Sequence, residues 1–108
     1  MVVTSCDEND NKPLIRNFGF RDVLTCAPGE SVYTTAVNAS YKKASGSYLA
    51  SAHLAGMIAL LKSYRPVSSV FEIVKNITTP ESGDVIDSLG YAVRGSNRIN
   101  VDKFLSSF

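Results

Sequence analysis

The sequence predicts an α/β layered domain with parallel strands and a buried central helix. Three observations carry that class. Val2-Val3-Thr4 and Val23-Leu24-Thr25-Cys26 are continuous β-branched or apolar runs, the pattern of strands covered on both faces. About twenty residues separate them, enough for a crossover between parallel neighbours. The segment Tyr48–Arg65 then carries Leu49, Ala50, Ala52, Leu54, Ala55, Met57, Ile58, Ala59, Leu60 and Leu61 all around the helical wheel. A helix apolar on every side needs burial on every side, which is more covering surface than the remaining ninety or so residues are expected to supply.

The first run ends in a polar loop, Asp7 to Pro13, which reads as solvated: no glycine turn and distal glutamate follow at calcium-loop spacing. The second is stopped by Ala27-Pro28-Gly29, where proline fixes φ and glycine completes a sharp turn. Ser31–Thr35 and Ser40–Ala44 have strand propensity. The central helix stops at Lys62-Ser63-Tyr64-Arg65 before Pro66. Ser69-Val70-Phe71-Glu72 is a capping box, and Val70, Ile73, Val74 and Ile77 give the next helix one apolar face. Loop signals occupy Ser82-Gly83-Asp84 and Ser88-Leu89-Gly90. Asn100 caps a last helix in which Val101, Phe104, Leu105 and Phe108 repeat at helical spacing.

Residues 1–108 make one domain or a piece of one. Eleven basic against ten acidic side chains give a formal charge of +1, and no basic-aromatic stretch occurs, which excludes a nucleic-acid surface. The opening residues do not read as a signal peptide, and the Leu49–Leu61 apolar stretch is too short to span a bilayer. The compartment stays open. Cys6 and Cys26 lack metal-site spacing and read as two small buried thiols on neighbouring strands, with a disulfide as the alternative. No phosphate-binding glycine loop, zinc spacing or dinucleotide fingerprint occurs, so no cofactor or metal is expected.

Taken in order, the punctuation resembles the C-terminal part of the subtilisin-like serine peptidase (subtilase) family. The matching segments are Asn17-Phe18-Gly19, Ala27-Pro28-Gly29, Ser45-Gly46-Ser47-Tyr48-Leu49-Ala50-Ser51-Ala52-His53-Leu54-Ala55-Gly56 and Gly95-Ser96-Asn97-Arg98-Ile99-Asn100. The resemblance implies a three-layer α/β fold of which this chain supplies the C-terminal portion. It also implies that the domain's acid- and base-bearing N-terminal part lies outside these residues.

The departures carry the functional reading. Aligned on His53-x-Ala55-Gly56, the family's serine nucleophile falls on Tyr48, its preceding threonine on Ser47 and its following methionine on Leu49. Asn97 takes the place of the second glycine in the last motif, a residue that tolerates left-handed backbone.

A serine nucleophile needs a base within reach and an acid to orient it. His53 is the only histidine, five positions after Tyr48 and six after Ser47, whereas only i+3 and i+4 helical pairs meet. The resemblance makes it structural. Ser47 reads as a helix cap or near-cap, and is the substitute nucleophile only if the loop shifts by one residue. Asp22, Glu30, Glu72, Glu81, Asp84, Asp87 and Asp102 read as solvated surface charges.

No catalytic residue is therefore assigned: the chain reads as a pseudoenzyme, inactive alone. The alternatives are a C-terminal part of an active endopeptidase completed by another chain, with Ser47 displaced into the nucleophile's place, or an unrelated small α/β binding domain. Expected partners are an N-terminal-half chain or a second copy, through the helix Tyr48–Arg65. Nothing in the sequence supports peptide binding.

Overall fold

A computed structural model of the chain describes residues 1–90 and 92–108. Strands β1 (Val3–Cys6), β2 (Thr25–Pro28), β5 (Gly83–Val85) and β6 (Asn97–Ile99) form one sheet in the order β1-β2-β6-β5. β1 and β6 both run parallel to β2, and β5 lies antiparallel on the outer side of β6. The expected parallel pairing of the first two strands is present, but both begin later than their apolar runs suggest. Val23 and Leu24 are buried by backbone contacts with the later chain: Arg94 N–H donates to Val23 C=O at 2.7 Å and Gly95 N–H to Leu24 C=O at 2.8 Å. Apolar runs report burial, and here burial begins before the ladder.

β3 (Val32–Ala36) and β4 (Ser40–Ala44) form a separate antiparallel hairpin. Its tip places Asn38 and Ala39 at φ 59° and 51°, the left-handed pair that matches the strand twist. The main helix α1 (Ser47–Tyr64) packs on the parallel strands. α2 (Val70–Ile77) and α3 (Val101–Ser106) complete that layer, capped as expected. Ser69 and Glu72 make both bonds of the capping box, and Asn100 accepts from Lys103 N–H.

Leu24, Leu54, Met57, Leu61, Ile73, Ile77 and Phe104 form the core between sheet and helices. A second cluster joins Cys6, Val23 and Cys26 to Leu89, Ala92 and Val93. The sheet is thus covered by helices on one side and by Ile86, Leu89, Ala92 and Val93 on the other. Val70 and Val101, placed on core faces by their spacing, are exposed. Each sits in the first turn of a short helix, where the chain is still entering the layer.

The helix is covered on one side only, the shortfall expected of so apolar a helix in so short a chain. α1 buries a single stripe, Ala50, Leu54, Met57 and Leu61, while Ala52, Ala55, Gly56, Ala59 and Leu60 face outward. The remaining elements of this chain reach only one side of it, and the apolar wheel is left half uncovered. No helix is long and apolar enough to cross a membrane.

Candidate functional site at the head of α1

The site grows from two glycines that meet. The sharp turn expected at Ala27-Pro28-Gly29 is absent: β2 runs through Pro28 and the chain bends at Glu30 and Ser31, where Ser31 is left-handed at φ 52°. Gly29, directly after β2, accepts the Gly46 N–H at 2.7 Å through its carbonyl. A Cβ on Gly29 would lie 2.5 Å from Ser5 Cβ and 2.9 Å from the Gly46 carbonyl oxygen, so only glycine permits this approach. Gly46 is the residue that caps α1, with no side-chain cap. The Tyr48 ring lies directly against its Cα, where any side chain would collide with it.

Ser47 therefore occupies the first helical position, half-buried, and makes no capping bond; the cap expected of it is provided by Gly46 backbone. Tyr48 is two-thirds exposed. His53 is also exposed, rather than buried within the helix. Its Nδ1–H donates to the Leu49 carbonyl one turn back at 2.9 Å. It lines an open groove of about 400 Å³ between β3 and α1 with Val32, Tyr33, Thr34, Ala52 and Gly56. Among the described residues, no histidine or carboxylate stands within hydrogen-bond distance of the Ser47 or Tyr48 hydroxyl. Nor do three or more His, Cys, Asp or Glu side chains converge as a metal site there.

Two carboxylates depart from the solvated reading. Glu30, directly after Gly29, accepts from Ser5 Oγ at 2.7 Å and from Arg16 Nε at 2.7 Å and Nη2 at 3.2 Å. Partial burial pushes its carboxyl upward, but the bonds from Arg16 and Ser5, the Arg16 charge and the Ser45 hydroxyl more than offset this, and the net displacement is downward. Ser45 in turn accepts the Ser31 N–H at 2.8 Å, so the carboxylate braces β1, the bend after β2 and the entrance to α1. A glutamate after Pro-Gly was visible in sequence, but its arginine partner lies on a loop whose path no local pattern fixes. Asp84 is the second hub. Bonds from Lys103, Arg98 and Asn100 hold its carboxyl well below the usual range. Its place, between β5 and the start of α3, is remote in sequence from the head of α1. Glu72 works as the capping-box carboxylate.

Asn97 also departs from its expected role. The left-handed residue in its segment is Ser96, at φ 50°, while Asn97 belongs to β6 with its amide buried.

The order Ala-Pro-Gly strand end, hairpin, glycine-led helix and terminal strand-to-helix segment, on one parallel sheet, has matching counterparts. Thermitase of Thermoactinomyces vulgaris is 34% identical over 84 residues, 77% of this chain and 30% of thermitase. Subtilisin DY of Bacillus licheniformis is 32% identical over 102 residues, 94% of this chain and 35% of that protein. The chain is related to the subtilisin-like serine peptidases. No protein-family model matches it. Among solved structures, the A-subunit of the AB5 toxin from E. coli superposes with a TM-score of 0.79 at 24% identity, covering 97% of this chain and 36% of the toxin subunit. The patellamide maturation protease PatA gives 0.73 at 19% identity, covering 97% and 41%. These two likenesses establish the α/β fold. The chain spans about a third of the length of the subtilisin-like relatives it matches.

Proposed function

We propose that this subtilisin-like fragment is the C-terminal portion of the peptidase domain, that Tyr48 fills the position of the family's nucleophile, and that the chain does not cleave peptide bonds on its own. The observation that carries the reading is the head of α1. The side chain aligned with the catalytic serine is a phenol lying over the capping glycine, and the one histidine in the chain points into a different groove. A nucleophile without a base to take its proton and an acid to orient that base gains nothing from position alone. The phenol ring occupies space over the helix entrance that an acyl group would need.

A fluorophosphonate probe, which labels activated serines, tests this. The purified chain is expected to remain unlabelled, and Tyr48→Ser alone is expected to leave it so. Labelling of wild type at Ser47 would overturn both the alignment and the inactivity.

A second reading has its own support: the chain is one part of a peptidase domain completed by another chain. The open face of α1, Ala52 to Leu60, is apolar and has no cover from the described residues, and β1 is an edge strand whose side chains are nonetheless buried. Both surfaces ask for further structure beside them. In that reading Ser47 would have to move by one residue to act. Labelling that appears only after adding the N-terminal portion of a subtilisin-like domain would favour it.

A further inference from the structure

We infer that Cys6 and Cys26 form a disulfide that staples β1 to β2 beneath Leu89, Ala92 and Val93. The two residues lie on adjacent parallel strands, with Thr4 opposite Cys26 and Cys6 opposite Pro28. Both are buried, at 1% and 0% exposure, in a pocket whose other walls are Val23, Leu89, Ala92 and Val93. Their sulfurs lie in direct contact, and both cysteines stand as free thiols in the structure. Nothing else polar serves them: the Cys26 thiol has the Cys6 sulfur as its hydrogen-bond partner, and among the described residues no third ligand makes the pair a metal site. Two thiols so placed either share one weak hydrogen bond or join.

The joining step balances with glutathione disulfide as oxidant. One cysteine thiolate attacks a glutathione sulfur and displaces the first glutathione as a thiol. The second cysteine then attacks the mixed disulfide and displaces the other. The two cysteine S–H groups lose two protons and two electrons, the protein gains one S–S bond, and glutathione disulfide becomes two glutathiones.

Burial sets when this can happen. Both sulfurs are closed off from solvent, and the Cys26 thiol is pushed far up in pKa, first by its bond to Cys6 and then by desolvation. The bond therefore forms while the chain folds, before Leu89, Ala92 and Val93 pack over the two sulfurs, and is slow to exchange afterwards. Its consequence reaches the head of α1. The cysteines are 20 positions apart, and the loop they close contains Arg16, which holds the Glu30 carboxylate against Ser5.

The test refolds the full chain in parallel with glutathione disulfide or with a phosphine reductant. Each sample is unfolded in N-ethylmaleimide and its intact mass measured. The oxidised sample is expected to be two hydrogens lighter than the sequence mass with no maleimide adduct, and the reduced sample to carry two. Closing a loop of this length should also raise the melting temperature by about 10 °C or more, and Cys6→Ala should abolish that redox-dependent difference. Two maleimide adducts after oxidising refolding, or a glutathione adduct persisting on either cysteine, would overturn the inference. So would a melting difference that survives in Cys6→Ala. Should that variant not fold, the masses of the wild-type chain decide.

Discussion

Asn97 offers the sharpest check on how this fragment is held together, because sequence and structure assign it different work. By motif it stands at a glycine position and should matter for backbone freedom. In the structure its amide fills a pocket floored by two glycines, Gly83 and Gly95, where an added Cβ would come within 2.6 Å of the amide. Its Oδ1 accepts from Thr25 Oγ1 at 2.8 Å, and its Nδ2 donates to the carbonyls of Ile77 at 3.1 Å and Thr79 at 3.2 Å. Truncation to alanine has unequal effects on these partners. Thr25 keeps its bond to the Asn97 carbonyl, and the Thr79 carbonyl keeps the Ser82 N–H. Ile77, the last residue of α2, is left with a buried carbonyl that the helix cannot satisfy. An orphaned buried group costs about 1–3 kcal/mol, and the void left by the amide adds about 1 kcal/mol. Asn97→Ala should therefore lose about 2–4 kcal/mol, a fall of roughly 10–25 °C in melting temperature for a domain of this size. Asn97→Asp should be worse at neutral pH, since it aims a carboxylate at two carbonyl oxygens. Ser96→Gly, at the true left-handed position, should be neutral or stabilising. Thermal and guanidinium melts compare these variants and Asn97→Gly with wild type. A loss below about 1 kcal/mol for Asn97→Ala, or an Asn97→Gly chain more stable than Asn97→Ala, would show that backbone freedom and not the amide is what the position provides.

The other expectations concern acid stability and the open helix face. Glu30 and Asp84 have folded pKa values below their unfolded ones, so their stabilisation is complete above the ordinary carboxylate range near pH 4. It is lost as pH falls from there through the depressed folded values; melting temperature measured from pH 6 to pH 2 should fall less steeply in Asp84→Asn than in wild type, and identical slopes would refute the assignment. On α1, light scattering across a concentration series should show wild type associating. Ala55→Glu, which places an unpaired charge on the uncovered face, should weaken that association about tenfold or more; a monomeric wild type that binds no hydrophobic dye would mean the face needs no cover.

The fold was legible where local chemistry acts over a few residues. The capping box at Ser69 and Glu72, the Asn100 cap and the two parallel strands all rest on contacts the sequence encodes within one turn or one apolar run. Strand limits were less legible, because Val23 and Leu24 are buried by a chain segment seventy residues later. Ala92, whose carbonyl accepts the Gly19 N–H, is held by a contact of this kind, and no periodicity announces it.

The head of α1 shows how a motif can be right in place and incomplete in meaning. Spacing located the glycines that let two segments touch, and Gly29 and Gly46 do meet. It could not show that Tyr48 would lie over Gly46, which depends on a side-chain direction, nor that Arg16 would reach Glu30 across fourteen positions. The apolar wheel of α1 is informative in another way. Uniform hydrophobicity states that burial is favourable, about 1.5–3 kcal/mol for a large side chain, and not that these residues alone provide it. Sequence records the demand and structure shows how much of it is met. The difference here is one face of one helix, beside an edge strand, in a chain that spans about a third of its relatives. That unmet demand, together with the phenol at the helix entrance, supports an incomplete domain more strongly than either feature does separately.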